Sequence, residues 1–210
     1  MNNKLNKIGI IDCNIGNIYS VENALKKLKC NYEISKDPKI IDKSEKIILL
    51  GVGSFPAVMK NLNLYGFTNL LNKCYKQGRY LLGICVGMQV FMTSGEEEAT
   101  TKGLNFIKGS VELLKFSKGH PIPHMGWNEV FYKNKSNINI FNQIKNKSSF
   151  YFIHSYHIKI KEKKVQTLLT SYGNNKIVAA IKKDNIYGVQ FHPEKSQSVG
   201  TQILENFINL

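Results

Sequence analysis

The apolar residues of this chain are concentrated in short continuous runs, separated by segments with helical or mixed spacing. Such runs lie at residues 7–12, 46–50, 80–82 and 187–191. Continuous runs are typical of strands that are buried on both faces, as in a parallel sheet. Amphipathic segments at about residues 18–28 and 67–76 predict helices between these strands. The pattern therefore predicts an α/β domain with a central, mostly parallel sheet and helices on both faces.

Beyond about residue 111 the chain turns to β structure. Strands are predicted at about residues 111–116, 149–157, 165–171 and 177–182, and a closing helix at about 199–210. The alternation within residues 149–157 is typical of a strand that buries one face, so this half predicts an added, smaller antiparallel sheet. The length of 210 residues fits a single domain over residues 1–210.

The sharpest local signal is Gly83-Ile84-Cys85-Val86-Gly87, which follows an apolar run. A strand, a cysteine between two glycines and then a helix form the pattern of a nucleophile elbow. The tight turn leaves no room for side chains at Gly83 and Gly87, and a sulfur near a helix N-terminus is favoured as the thiolate. The N–H of Val86 would then face a developing oxyanion. A buried structural cysteine is the competing interpretation of Cys85.

A second segment, near the C-terminus, favours the catalytic interpretation. His192-Pro193-Glu194 follows the apolar run at 187–191. A cysteine nucleophile needs a base, and the base needs a group that orients it. His192 and Glu194 can supply these roles from the end of a strand, with Pro193 stiffening the link between them. We therefore predict a triad of Cys85, His192 and Glu194, and we expect the loop histidine His124 to be structural.

Two segments, G-I-C-V-G-M-Q (residues 83–89) and V-Q-F-H-P-E (189–194), resemble the motifs of class I, triad-type glutamine amidotransferases. Two more, P-H-M-G-W-N (123–128) and F-Y-F-I-H-S-Y (150–156), are similar to those of the glutaminase subunits of imidazole glycerol phosphate synthase, in histidine biosynthesis. The resemblance covers essentially the whole chain. It implies that family's flavodoxin-like fold and hydrolysis of glutamine to glutamate and ammonia, with no cofactor and no metal.

The resemblance also implies which residues bind the substrate glutamine: Gly53, Gln89, Ser155 and Tyr156. Gly53 would lie against the substrate, and the side-chain amide of Gln89 would contact it. Backbone groups of Ser155 and Tyr156 would hold its α-amino and carboxylate ends. The family takes a second oxyanion donor from the segment at residues 51–53, so the N–H of Val52, or else that of Gly53, is expected to complete the oxyanion hole formed with Val86.

The family's partner is a (β/α)8-barrel cyclase subunit, which implies a heterodimer with an ammonia channel between two active sites. The residues expected to face this partner are Asn14, Asn17, Pro123, Met125, Trp127 and Lys195. Trp127 fits a core position equally well. Cys13 and Asn14 stand where the family usually has tyrosine and glycine. This departure leaves open a paralogous amidotransferase that supplies ammonia for amidination or amination of a surface sugar.

A formal net charge of +14 invites a nucleic-acid hypothesis. Nearly all of the positive charge is lysine spread along the chain, and Arg79 is the only arginine, although arginine is the usual reader of base edges. We therefore expect no nucleic-acid partner and attribute the charge to a solvated surface. No apolar run is long enough to span a bilayer, and residues 1–7 lack a signal-peptide core, so we expect a cytoplasmic protein without a membrane partner.

The remaining polar candidates predict no further chemistry. The cysteines, Cys13, Cys30, Cys74 and Cys85, show neither paired spacing nor clustering with histidine, so no zinc site is expected. The elbow helix is expected to end at residues 94–98, and the acids at 96–98 are expected to be solvated. A cysteine peptidase-like hydrolase and a non-enzymatic binding protein on the same fold stay open as hypotheses. The G-M-Q segment counts against the first and the complete triad against the second.

Overall fold

The computed structural model describes residues 7–14, 16–132 and 138–210. Ile15, in the turn expected to face the partner, and residues 1–6, ahead of the first strand, lie outside the described residues. The strands are β1 (Ile8–Ile11), β2 (Tyr32–Ser35), β3 (Lys46–Gly51), β4 (Leu81–Cys85), β5 (Met92–Gly95), β6 (Thr101–Lys102), β7 (Ile107–Leu113), β8 (His124–Val130), β9 (Ser148–His154), β10 (Tyr156–Ile160), β11 (Gln166–Tyr172), β12 (Asn175–Lys183) and β13 (Ile186–Val189). The helices are α1 (Ile18–Lys27), α2 (Pro38–Ile41), α3 (Phe55–Leu64), α4 (Phe67–Lys76), α5 (Val86–Gln89) and α6 (Gln197–Ile208), with 3-10 helices at Asn139–Phe141 and Pro193–Lys195.

The central sheet has seven strands in the order β11-β12-β13-β4-β3-β1-β2. Strands β13, β4, β3, β1 and β2 pair in parallel, whereas β11 and β12 join one edge antiparallel. Every residue of β1, β3, β4 and β13 is buried, as expected for strands covered on both faces. The predicted mostly parallel central sheet is therefore confirmed.

Parallel pairing brings the carboxyl ends of neighbouring strands to one edge of the sheet, where open α/β folds place their ligands. Cys85 ends β4 and lies opposite Gly51, which ends β3. On the other side of β4, Val189 of β13 lies opposite Ile84. The segment after β13, which contains His192, therefore begins beside the elbow.

The smaller β structure consists of a four-stranded sheet, β10-β7-β5-β6, and a ribbon of β8 and β9. The ribbon packs against the segment after β13 through Phe150 and Phe191, whose ring centroids are 4.0 Å apart. In the four-stranded sheet β5 and β7 are parallel and the other pairs antiparallel. The added sheet predicted as antiparallel is thus mixed.

Two predicted strand boundaries are wrong. Strand β7 covers Ile107–Leu113 instead of residues 111–116, because its limits follow its pairing with β10, where Gly109 lies opposite Ile160 and Leu113 opposite Tyr156. The strand predicted at 149–157 is divided at Ser155 into β9 and β10. These two strands pair with different partners, β8 and β7.

The helix after the elbow is also shorter than predicted. It ends at Gln89, and the chain enters β5 at Met92 rather than remaining helical to residues 94–98. A short apolar run is compatible with either state, and here pairing with β7 decides it. Gly95 fits this position because a Cβ atom there would lie 2.6 Å from the ring of Phe55.

The part of the chain that the structure describes contains no helix of the length and apolar character that a membrane crossing requires.

Candidate active site

The elbow geometry is set by the backbone around Cys85. This residue has φ 56° and ψ −116°, a conformation that costs energy for a residue with a side chain. A Cβ atom at Gly83 would lie 2.5 Å from the carbonyl oxygen of Gly87, and one at Gly87 would lie 2.0 Å from that of Leu49. The prediction that both positions require glycine is confirmed. Helix α5 is a single turn, so its dipole acts more weakly on the sulfur than the sequence suggested.

The thiol of Cys85 is almost completely buried, with the residue 3% exposed. Its sulfur lies 3.9 Å from the carbonyl oxygen of Ile153 and 3.7 Å from the amide nitrogen of Gln190. Gln190 also accepts a hydrogen bond from the side chain of Gln89 at 3.1 Å. Gln190 was not predicted as a site residue, although it lies within the V-Q-F-H-P-E segment, because its contact with the sulfur depends on the pairing of β4 with β13.

His192 and Glu194 form a buried ion pair, with 2.7 Å between Nδ1 and Oε1 and side chains 2% and 1% exposed. A carboxylate only accepts hydrogen bonds, so Nδ1 carries the hydrogen and Nε2 is left for the thiol. Burial lowers the pKa of His192, but hydrogen bonds to Cys85 and Glu194 outweigh it and raise the pKa to about 10. An imidazolium beside the sulfur would stabilise a thiolate nucleophile.

The loop that carries His192 is anchored to β9. The backbone N–H of His192 donates to the carbonyl of Tyr151 at 2.9 Å. Ser196, which is fully buried, donates to the carbonyl of His192 at 2.7 Å and accepts from the N–H of Tyr151 at 3.0 Å. The 3-10 helix Pro193–Lys195 turns the chain so that Glu194 reaches back to the imidazole. Ser196 carries no motif of its own, so its anchoring role emerges only from the fold.

These residues open onto a cavity of about 450 Å³. Its lining consists of Asn17, Val52, Gly53, Cys85, Val86, Gln89, Glu97, Pro123, Ile153, His154, Ser155, Tyr156, His192 and Lys195. The structure thus brings both expected oxyanion donors and all the expected substrate-binding residues to one cavity with the thiol and the imidazole. Glu194 lies behind His192, outside the lining set. Gly53 has φ +97°, a conformation that favours glycine.

The residues expected to face a partner divide into two groups. Asn17, Pro123 and Lys195 are exposed and line the cavity, and the Lys195 ammonium lies 5.8 Å from the centroid of the Tyr151 ring. Met125 and Trp127 are not in the lining, but they are 56% and 50% exposed on β8, so Trp127 is not a core residue. Asn14 is also outside the lining, and its side chain donates to the Tyr65 hydroxyl at 2.7 Å.

Glu97 corrects the expectation that the acids at 96–98 are all solvated. It is half-buried in the cavity lining, while Glu96 and Glu98 are exposed. Its Oε2 accepts from the backbone N–H of Phe55, the first residue of α3, at 2.7 Å. Burial raises the pKa of Glu97, opposed by the hydrogen bond from Phe55, and the charge of Glu98 raises it further. A carboxylate at this position could bind a cation in the cavity.

His124 lies away from the thiol, as expected for a structural histidine. It is 2% exposed, stacks on Phe152 and Tyr172, and is not part of the cavity lining. Its Nδ1 lies 3.0 Å from Nε2 of His154, which does line the cavity. Within the described ranges, no group of three or more histidine, cysteine, aspartate or glutamate residues could hold a metal ion.

The sequence of the chain was compared with known families and proteins. The family described as "Glutamine amidotransferase class-I" matches residues 9–210. Imidazole glycerol phosphate synthase subunit HisH 2 of Methanococcus maripaludis is 45% identical over 96% of this chain and 98% of the relative. Subunit HisH 1 of Campylobacter jejuni is 43% identical over 97% of this chain and 100% of the relative.

Solved structures share the fold at lower identity. A glutamine amidotransferase from Thermotoga maritima has a TM-score of 0.64 and 14% identity, covering 97% of this chain and 82% of that one. A second structure described as a glutamine amidotransferase has a TM-score of 0.71 and 16% identity, covering 96% and 97%. At this level of identity the likeness concerns the fold alone.

Proposed function

Because the chain belongs to the class I glutamine amidotransferases, and among them to the HisH subunits of imidazole glycerol phosphate synthase, we propose that it hydrolyses glutamine to glutamate and ammonia for a cyclase subunit in histidine biosynthesis. The single observation that carries this proposal is the buried arrangement of Cys85, His192 and Glu194 beside the cavity. Relatives at 45% and 43% identity are synthase subunits, which favours this function over a cysteine peptidase-like hydrolase.

In the proposed reaction, His192 first takes the thiol proton of Cys85, and the resulting thiolate attacks the side-chain amide carbon of glutamine. The N–H groups of Val86 and Val52 stabilise the oxyanion of the tetrahedral intermediate. His192 then protonates the departing nitrogen, which leaves as ammonia, and a thioester remains on Cys85. Water resolves the thioester with His192 as the base. Glu194 holds the imidazole tautomer and stabilises its charged form throughout.

The substrate is held by its two ends. Glu97 carries the one carboxylate among the lining residues given above, so we assign to it the α-ammonium of glutamine. The positive charge of this group would lower the pKa of the Glu97 carboxyl, which burial raises. Backbone groups of Ser155 and Tyr156 complete the contacts to the α-amino and carboxylate groups. Gly53 leaves room for the substrate, and Gln89 contacts it through its amide oxygen, since its amide nitrogen is bonded to the carbonyl of Tyr156 at 2.9 Å.

The proposed partner is a cyclase subunit of the (β/α)8-barrel type, forming a heterodimer that covers the cavity mouth. Ammonia that equilibrates with water is mostly protonated and non-nucleophilic at neutral pH, so it must pass directly to the second active site. Asn17, Pro123 and Lys195 at the mouth support this arrangement, as do the exposed apolar side chains of Met125 and Trp127 beside it.

The test combines the purified chain with the cyclase subunit of the same organism. We expect slow glutamate release by the chain alone and a large increase when the cyclase and its ligand are both present. The Cys85→Ala variant, which should bind the cyclase but release no glutamate, is the control. Full glutaminase activity without the cyclase would argue against gating by the partner. A complex with a sugar-modifying synthetase instead of the cyclase would assign the chain to the surface-sugar pathway instead of histidine biosynthesis.

A further inference from the structure

A chain of hydrogen bonds begins at the wall of the cavity and runs through two buried histidines, His154 in the cavity lining and His124 beyond it. His124 and His154 lie directly opposite each other in the β8–β9 ribbon and are 2% and 6% exposed. Nδ1 of His154 lies 2.8 Å from the backbone carbonyl oxygen of Tyr156, and its Nε2 lies 3.0 Å from Nδ1 of His124. The remaining ring nitrogen of His124 lies 3.2 Å from the side-chain amide of Asn128. The triad uses none of these groups.

The partners at each end fix the direction of every bond in this chain. The side-chain oxygen of Asn128 accepts from the N–H of Glu129 at 2.8 Å, so its amide nitrogen must face Nε2 of His124. That nitrogen therefore donates, and Nε2 of His124 accepts without a hydrogen. At the other end the Tyr156 carbonyl can only accept, so Nδ1 of His154 donates. The consistent solution has both rings neutral, each with its hydrogen on Nδ1.

The environment of the two rings agrees with this neutral state. Burial lowers the pKa of His124 to about 4 and that of His154 to about 3, and each ring is also destabilised as a cation by a neighbouring histidine. An added proton on His154 would point at Nδ1 of His124 and force a hydrogen onto Nε2 of His124, toward an amide that is itself a donor. The network therefore excludes a second proton by geometry as well as by burial.

The chain of hydrogen bonds ends on the backbone carbonyl of Tyr156, a residue of the proposed glutamine site. The Tyr156 carbonyl accepts from His154 and also from the side chain of Gln89, at 2.8 and 2.9 Å. Gln89, Ser155 and Tyr156 line the cavity. Two donors on one carbonyl fix the plane of its peptide, and this peptide adjoins the backbone assigned to the ends of glutamine. One of the two donors is the Nδ1–H group of His154.

We propose that His124 and His154 are positioning residues for glutamine, which orient the Tyr156 carbonyl and thereby the Ser155–Tyr156 backbone that holds the substrate. This inference rests on the proposed function, since it assigns a role within the same glutamine site. His154 acts directly on the carbonyl, and His124 acts by fixing the tautomer of His154. This role requires neither residue to exchange a proton with the substrate.

Substitution of His154 by asparagine or by glutamine separates the roles of its two ring nitrogens, because each side-chain amide replaces a different one. The asparagine side chain ends where Nδ1 lies and keeps a donor for the Tyr156 carbonyl, whereas the glutamine side chain reaches the position of Nε2 and loses that donor. We expect glutamine to bind Cys85→Ala/His154→Asn nearly as tightly as Cys85→Ala alone. The Kd should rise about tenfold in Cys85→Ala/His154→Gln, the cost of about one buried hydrogen bond. Titration calorimetry on the full chain measures both values.

A second readout distinguishes positioning from a general structural defect. Alkylation of Cys85 by iodoacetamide should proceed at the same rate in His154→Gln as in the unsubstituted chain, because the triad is unchanged. Nitrogen-15 spectra of the unsubstituted chain should show His124 and His154 both with hydrogen on Nδ1. If the His154 variants do not fold, His124→Asn and His124→Gln repeat the comparison one bond farther away, since asparagine keeps the donor to His154.

The outcomes separate this inference from the proposed function. Equal glutamine affinity of the asparagine and glutamine variants overturns the positioning role alone, as does a hydrogen on Nε2 of His154 in the spectra. Loss of folding in all these variants assigns the pair to the core and overturns it as well. A parent chain that binds glutamine but releases no glutamate with the cyclase overturns the proposed function and leaves the inference standing. A parent that does not bind glutamine overturns both.

Discussion

Gln190 holds its side-chain amide nitrogen 3.7 Å from the sulfur of Cys85, in a fully buried position directly after β13. A donor at this distance stabilises negative charge on sulfur more than it stabilises a neutral thiol. The same side chain accepts from Gln89, so its orientation is fixed with the amide nitrogen toward Cys85. Gln190 is therefore a fourth group, beside the triad, that acts on the nucleophile.

Replacing Gln190 with glutamate should slow alkylation of Cys85. The carboxylate keeps the acceptor for Gln89 but puts negative charge beside the sulfur in place of a donor. We expect the rate with iodoacetamide at neutral pH to fall about tenfold. Gln190→Met removes the donor without adding charge, so its alkylation rate should lie between those of the unsubstituted chain and Gln190→Glu. An unchanged rate in both variants would show that the amide does not act on the sulfur.

Among the cysteines, Cys85 should react first with an electrophilic glutamine analogue such as diazo-oxo-norleucine. Burial, helped by the charge of Asp12, raises the pKa of Cys13 to about 12, and burial also raises the pKa of Cys30 and Cys74. These three thiols therefore carry little thiolate near neutral pH. Peptide mapping after partial labelling identifies the modified residue, and label on Cys13, Cys30 or Cys74 ahead of Cys85 would contradict the assignment.

The base and its orienting group should differ in how much activity they control. His192→Ala removes the proton acceptor and should lower kcat by about 10⁴-fold or more. Glu194→Gln keeps the cysteine, the imidazole and the oxyanion donors. The decrease in its kcat should therefore be about tenfold to hundredfold smaller than that of His192→Ala. Steady-state glutamate release with the cyclase present measures both. If His124→Ala, in a folded protein, lost as much activity as His192→Ala, the choice of base would be wrong.

The role assigned to Glu97 predicts a change in KM rather than kcat. Glu97→Gln keeps an oxygen for the N–H of Phe55 but removes the charge that pairs with the α-ammonium of glutamine. The KM for glutamine should rise about tenfold to hundredfold, with kcat little changed because the amide end of the substrate is untouched. Glu96→Gln and Glu98→Gln, at exposed neighbouring positions, are matched controls. A rise in KM shared by all three variants would indicate a general effect of charge.

Buried neutral histidines should make the fold sensitive to acid. Burial and the charge of Lys159 lower the pKa of His157 from the ordinary value of 6.5 to about 4, against the opposing charge of Glu112. Between these pH values the unfolded chain binds a proton that the folded chain does not, so the free energy of unfolding falls as pH drops from about 6.5 to about 4. His157→Leu should reduce this dependence on pH in denaturant titrations, whereas His120→Leu, at a partly exposed position, should not.

Local sterics and buried apolar runs were sufficient to predict the elbow and most strands of the central sheet, while the chemistry of the site was predicted from two short motifs and their resemblance to a known family. Gly83, Cys85 and Gly87 are close in sequence, and the clashes that a Cβ atom would cause at either glycine arise from the turn itself and the strand beside it. The strands β1, β3, β4 and β13 are buried throughout, so their composition alone indicates that both faces are covered.

Tertiary structure alone decided which polar groups meet. Gln190 reaches Cys85, Glu97 reaches Phe55 and His124 reaches His154 across 105, 42 and 30 residues of sequence. No local pattern encodes such contacts, because each depends on which strands pair and in which register. The same cause produced the errors at β5 and β7, whose limits follow their pairing with each other and with β10. The sequence thus determined the nucleophile and its immediate turn, while strand order and register determined the groups that surround it.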